Sequence, residues 1–160
     1  MLSLKIICVG KLKERFYIDA ANEYIKRLSG YCKLEVAEIS EQRLPSIPSD
    51  AQVAISLGKE HAAIRSSIPT GAYTVALCVE GRELDSEGLS KLISNYATNG
   101  ASRLCFIVGG SYGLHEEIKA AADDRLSLSK MTFPHNLARV MLLEQLYRAF
   151  KIAEGGKYHK

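Results

Sequence analysis

Leu104-Cys105-Phe106-Ile107-Val108-Gly109-Gly110-Ser111-Tyr112-Gly113-Leu114-His115 is an apolar run that stops on glycines. A short way on, Leu126-Ser127-Leu128-Ser129-Lys130-Met131-Thr132-Phe133-Pro134-His135 repeats the plan. A short strand passes through a loop of small residues into a long apolar helix, with Arg139 one turn in. Two strands that each end in such a loop predict an α/β sheet with a ligand site at the carboxyl ends of its strands. The order Gly-Gly-x-x-Gly is not the dinucleotide fingerprint, and it falls late in the chain rather than after the first strand. Glycines there let a ligand approach backbone amides. Thr132 can cap the last helix and Pro134 suits its first turn, leaving free N–H groups that favour a polar or anionic ligand.

Outward from this stretch the chain reads as alternating strands and helices. Residues 4–9 form a strand closed by Gly10. A helix follows, with Phe16, Ala20, Tyr24 and Leu28 at a spacing of four, and stops at Ser29-Gly30. Residues 33–39 are a second strand, and 41–49, with Pro45 and Pro48, are a loop. Ser49 or Asp50 caps a helix bearing Val53, Leu57, Ile64 and Ile68. The continuous apolar run 73–79 suits a strand buried on both faces, and Gly81 breaks it. Asp85 or Ser86 caps the next helix, which ends at Asn99-Gly100. Residues 104–108 form a strand, 116–122 a short helix, 126–129 a short strand, and about 134–153 the last helix. The alternation predicts a single domain over 1–160, a mostly parallel sheet with helices on both faces.

The last helix carries Leu137, Val140, Met141, Leu142, Leu143, Leu146, Tyr147, Phe150 and Ile152 almost all the way round. One sheet covers one face, so a second subunit is the simplest cover for the rest.

At 160 residues, 47% apolar, the chain can bury a sizeable core, and its net charge of +3 permits a nucleic-acid partner without demanding one. No apolar run is long enough to span a membrane, and the opening segment reads as a strand rather than a signal peptide. The four cysteines, Cys8, Cys32, Cys78 and Cys105, make no Cys-x-x-Cys pair. No metal site and no disulfide framework are expected, and a reducing cytoplasm fits.

His135 and Arg139 share a helix face, with Arg148 and Lys151 further along. His61 and His115 read as surface or cap residues. Lys11, Lys13 and Arg15 can meet phosphates or simply be solvated. The chain finishes Tyr158-His159-Lys160 after two glycines: an ordinary loose end, or an aromatic and an imidazole that stack on a base.

Taken together these residues resemble the knotted SPOUT class of methyltransferases. Within it they are similar to the large-subunit ribosomal RNA methyltransferase H family, which methylates pseudouridine at N3. The likeness covers the whole chain. It rests on Val9-Gly10-Lys11-Leu12-Lys13, Leu77 before Gly81, Ser86-Glu87-Gly88-Leu89, and Ile107-Val108-Gly109-Gly110 with Gly113-Leu114. It continues through Leu128-Ser129-Lys130-Met131-Thr132-Phe133-Pro134-His135, Glu144-Gln145-Leu146-Tyr147-Arg148-Ala149 and the closing Tyr158-His159-Lys160.

The resemblance implies a trefoil knot over about 73–155. It implies S-adenosylmethionine held by Leu77, Gly109, Leu128, Ser129, Lys130, Met131, Thr132 and Phe133. It implies a homodimer packed through the last helix, and a pseudouridine of 23S ribosomal RNA in the assembled ribosome as substrate. An imide N3–H is a poor nucleophile until its proton leaves, so a base or a cationic field must favour the anion. His135, Arg139 and His159 are the expected side chains for that work, with Tyr158 positioning the base. An inert RNA-binding module and a nicotinamide-dependent oxidoreductase stand as alternatives in other classes.

Overall fold

The computed structural model describes residues 1–159; Lys160, the last residue of the expected tail, lies outside the described residues. The elements are β1 (Ser3–Val9), α1 (Arg15–Leu28), β2 (Lys33–Ile39), α2 (Asp50–Ser67), β3 (Tyr73–Glu83), α3 (Ser86–Thr98), β4 (Arg103–Val108), α4 (Glu116–Ala121), β5 (Asp124–Ser127) and α5 (His135–Ala153). All five strands run parallel in the order β2-β1-β4-β3-β5.

Alternation along β1 sends its side chains to two cores. Leu4, Ile6 and Cys8 join Phe106, Leu28, Leu92, Leu142, Leu143 and Leu146 on the face covered by α1, α3 and α5. Ile7 and Val9 join Ile64, Ala76, Cys105, Ile107 and Ile118 on the face of α2 and α4. With both faces covered, the central strands carry near-continuous apolar runs, at 6–9, 75–79 and 104–108, rather than alternating, as parallel sheets require. The cysteines are free, and burial pushes the Cys8 and Cys32 thiols up to about 11, so they act as small core hydrophobes.

Helix starts follow the expected chemistry in two cases. Ser49 and Gln52 exchange the two bonds of a capping box at α2, and Asp85 accepts from the Gly88 amide at 2.7 Å at α3. At α5 the outcome differs: the helix opens after Pro134 with no side-chain cap, so Thr132 does not serve as one.

Two strand limits also differ. β3 does not stop at Gly81. It continues to Glu83 past an irregularity between Leu77 and Arg82, and Gly81 is where β3 meets the backbone of β5. A Cβ on Gly81 would lie 2.7 Å from the Leu126 backbone, so only glycine lets the strand pass. β5 ends at Ser127, earlier than expected, because the pairing of Asp124, Arg125 and Leu126 with Val75, Ala76 and Leu77 sets its register.

α5 lies between α1 and α3. Leu142, Leu143, Leu146 and Ala149 form its fully buried stripe, while Leu137, Val140, Met141, Tyr147, Phe150 and Ile152 are only half-buried. Ser90 fastens the helix through its hydroxyl to the Ala149 carbonyl at 2.7 Å.

Candidate active site

The loops after β3, β4 and β5 stand side by side at the carboxyl edge of the sheet and enclose a cleft of about 1080 Å³. Leu77, Val108, Leu114 and Leu126 form apolar wall. Gly109, Gly110 and Gly113 supply bare backbone, and Leu128, Ser129, Met131, Thr132, Phe133 and His135 close the far side.

Each loop is folded by its own small residues. The Gly113 amide donates to the Gly110 carbonyl at 3.0 Å, and Gly113 has φ +76°, so residues 110–113 make a closed turn with Tyr112 half-exposed at its tip. A Cβ on Gly109 would come 2.6 Å from the Gly113 carbonyl oxygen. Glycine at 109 is thus required by the turn packing on itself, a more local reason than room for a ligand. In the loop after β5, the Ser127 hydroxyl donates to the Ser129 carbonyl at 2.9 Å, and the Ser129 hydroxyl accepts from the Met131 amide at 3.0 Å. At the rim, Lys119 pairs with Glu80 and Glu116, and its hydrogen bond holds the Glu80 carboxyl below the usual range.

A second cleft, of about 420 Å³, adjoins the first across Ser111 and Tyr112. Its lining is charged: Lys13, Glu41, Arg43 and Glu60. Glu60 is only 6% exposed and accepts one bond, from the Gln42 amide to Oε2 at 3.4 Å; burial pushes its carboxyl up, and Glu41 adds to the effect.

Arg139 is 3% exposed. It donates to Glu38 at 2.8 Å and to the Gly10 carbonyl at 2.7 Å, tying α5 to the ends of β1 and β2. Its Nε is buried without a partner. The tail folds back along its own helix. Gly155, with φ +74°, reverses the chain, and the Tyr158 hydroxyl reaches Glu144 Oε1 at 3.3 Å. Tyr158 sits edge-on to Tyr147 with centroids 4.9 Å apart, under the Arg148 guanidinium at 4.7 Å. His159 Nε2 lies 4.0 Å from Glu87.

Residues 2–159 match a family model described as a predicted SPOUT methyltransferase. The chain belongs to the SPOUT methyltransferase family. Curated relatives from Clostridium botulinum, at 46% identity, and Clostridioides difficile, at 45%, are each named ribosomal RNA large subunit methyltransferase H; both alignments cover 99% of this chain and 100% of the relative. One from Methanococcus maripaludis, 44% identical over the same shares, bears that name as putative. Two solved structures share the fold. A probable methylase family protein from Haemophilus influenzae has TM-score 0.60 at 14% identity, over 100% of this chain and 72% of that one. A probable methyltransferase from Bordetella pertussis has TM-score 0.59 at 13% identity, over 92% and 96%. The chain is therefore a methyltransferase, and the family implies a methyl donor.

Of the residues expected around that donor, Leu77, Gly109, Leu128, Ser129, Met131, Thr132 and Phe133 line the large cleft; Lys130 is exposed and outside it. Among the expected catalytic side chains, His135 lines the cleft. Arg139 does not: its guanidinium donates to Glu38 and to the Gly10 carbonyl, which ties the start of α5 to the ends of β1 and β2. Tyr158 and His159 lie beside the middle of α5 and the start of α3. His115 caps α4, its Nδ1 accepting from the Glu117 amide at 3.1 Å, and its ring stacks on His61. Glu38 and Glu60, on β2 and α2, carried no signal in the sequence, because their partners come from distant segments.

Proposed function

We propose that this enzyme transfers the methyl group of S-adenosylmethionine to N3 of a pseudouridine in 23S ribosomal RNA, acting on the assembled ribosome as a cytoplasmic homodimer. The carrying observation is the cleft at the carboxyl edge of the sheet, walled by backbone turns in a chain whose full-length relatives are named ribosomal RNA methyltransferases. The threaded trefoil of the class belongs to the same reading; the close passage of Gly81 over Leu126 suits it.

The donor fits this site. Adenosine is a flat, largely apolar group with hydrogen-bonding edges, and it needs apolar wall with unencumbered backbone polar groups beside it. Leu77, Leu126, Leu128 and the turns at 109–113 and 127–131 supply both. Bound there, the donor supplies an electrophilic methyl that needs no metal. The chain must orient the acceptor nitrogen and manage its proton. His135, at the cleft mouth where α5 begins, is the imidazole placed to take or relay that proton. The N-terminal amides of α5, uncapped by any side chain, favour the anion that forms as the proton leaves. Tyr158, packed beside Glu144, Tyr147 and Arg148, lies with His159 roughly 14–20 Å along α5 from His135, at about 1.5 Å rise per residue. They serve the site of the partner subunit if the two α5 helices pair.

Labelled donor offered in parallel to ribosomes, separated subunits and naked 23S RNA tests this reading. Label in RNA, greatest with ribosomes, supports it. Donor that neither binds nor raises Tm overturns it. Ribosome binding without label would make the chain a binding module.

A further inference from the structure

We infer that Glu80 holds the ribose of the methyl donor, its carboxylate accepting from the 2′- and 3′-hydroxyls. This rests on the donor reading of the large cleft proposed above and assigns one more side chain to it.

The path of β3 points there first. Leu77 and Arg82 both pair with Leu126, so residues 78–81 leave the ladder and rejoin it at the same point. Bulges of this kind, common beside active sites, re-aim side chains. Here the detour gives Cys78, Val79 and Glu80 to the wall of the cleft, directly after Leu77. Val79 is 58% exposed, apolar surface that a bound adenosine would cover.

The charges around Glu80 point the same way. Lys119, on α4, donates to Glu80 and pairs with Glu116, and its side chain is only 12% exposed. All three side chains line the cleft. The bond from Lys119 holds the Glu80 carboxyl below its usual range, so it stands ionised and can only accept. A carboxylate has room for about four donors. Lys119 takes one place, and the Glu80 side chain is 51% exposed where it lines the cleft, so the others are open to a ligand.

The donor presents a flat base, a sugar with adjacent hydroxyls, and an amino-acid end with an ammonium. An ammonium seeks an unbalanced carboxylate, and beside Glu80 it would meet the like charge of Lys119. Neutral hydroxyls meet no such repulsion, and two of them side by side suit the two oxygens of one carboxylate. Dinucleotide-binding folds grip ribose with an acidic side chain in the same way. With the base against Leu77, the sugar comes next, as Glu80 does along the detour.

Calorimetry with S-adenosylhomocysteine, the demethylated donor, needs neither RNA nor methyl transfer. The wild-type enzyme should bind it about tenfold more tightly than its 2′,3′-dideoxy form, as hydrogen bonds to a charged group imply. Glu80→Ala should weaken the parent ligand about tenfold and leave the dideoxy form within twofold, since both changes remove the same contact. Glu116→Ala takes away the other partner of Lys119 and should leave the preference for hydroxyls in place. Methylthioadenosine keeps the ribose and lacks the amino-acid end, and Glu80→Ala should weaken it by the same factor. Equal binding of the parent and dideoxy ligands by the wild type overturns the inference. So does a preference that survives Glu80→Ala, or a loss confined to ligands that carry the ammonium. A wild-type enzyme that binds none of these ligands overturns the donor reading as well.

Discussion

The two ends of α5 are built on opposite principles. At its start, His135 lines the large cleft, and four residues on the buried Arg139 is locked to the part-exposed Glu38 and the Gly10 carbonyl. At its finish, Lys151 pairs with Glu154 and hydrogen-bonds the Tyr31 hydroxyl, the Gly156 amide returns to the Lys151 carbonyl at 2.8 Å, and Tyr158 rests on Tyr147 and Arg148. The first set is anchored by a buried guanidinium that no solvent contact can replace. The second is half-exposed, and its contacts, an exposed ion pair and a ring on a ring, are weak ones. One end is therefore preorganised before any ligand arrives. The other can exchange its contacts for equivalent ones on RNA or on a second subunit at little cost.

The sharpest way to break the first end is Gly109→Val. With Gly113 oxygen 2.6 Å from where a Cβ would stand, the 110–113 turn must open. A loss of about 3 kcal/mol in stability, as for severe overpacking, should accompany complete loss of donor binding by calorimetry. Gly113→Ala is the control: it keeps the space but strains a positive φ, and should cost about 1 kcal/mol. Equal damage from both would mean that conformation, not collision, governs the turn.

Next in size is Arg139→Ala. Removing one partner of a buried pair costs about 3 kcal/mol; Glu38 is 34% exposed and can be hydrated, so a somewhat smaller fall is expected. Arg139→Lys should not restore it, since one ammonium cannot serve Glu38 and the Gly10 carbonyl with the same fork. Thermal melts check both. Slowed methyl transfer at unchanged Tm would show that the guanidinium works on substrate and would erase the distinction between the two ends.

Those two tests mark where the sequence was legible and where it was not. Local signals sufficed for β2 at 33–39, for the Ser49 cap of α2 and for the strand-loop-helix plan of 104–139, because strand alternation, capping and turn chemistry act over a few residues. Most of the cleft followed, since a parallel sheet puts its loops at one edge. Gly81 misled because a glycine that ends a strand and a glycine that lets one strand cross another look alike in one dimension. The contacts of Arg139 were illegible for the same reason: its partners Glu38 and Gly10 lie far away in sequence, and a cation four residues after a histidine looks the same whether it faces solvent, substrate or a carboxylate of another strand.

Met141→Glu addresses the middle of the helix. Leu143 and Leu146 are buried within their own chain, so charging either would unfold it before it could report on a partner. Met141 is half-buried. A glutamate there should change stability by about 1 kcal/mol or less and turn a dimer into a monomer by sedimentation at micromolar concentration. A wild-type chain that sediments as a monomer would confine the tail to its own helix.

The smallest effect on the fold, and the most telling for the comparison, comes from ending the chain at Lys157. The contacts removed are Tyr158 with Tyr147, Arg148 and Glu144, and His159 near Glu87, all at the surface. Tm should fall by a degree or two at most and donor affinity should not move, because neither Tyr158 nor His159 lines either cleft. Methyl transfer should nevertheless be largely lost, since the Tyr158 and His159 side chains proposed to position the base have gone. Tyr158→Phe should keep most activity if stacking is its task and lose it if the hydroxyl is needed. A mixed dimer then assigns the direction. One subunit lacks the tail, and the other carries Gly109→Val. If the tail acts across the dimer, the intact cleft of the first is served by the intact tail of the second, and half the activity returns. If it acts within its own chain, no subunit has both parts and the activity stays lost. Full turnover by the truncated enzyme would mean that the loose end of α5 is only an end.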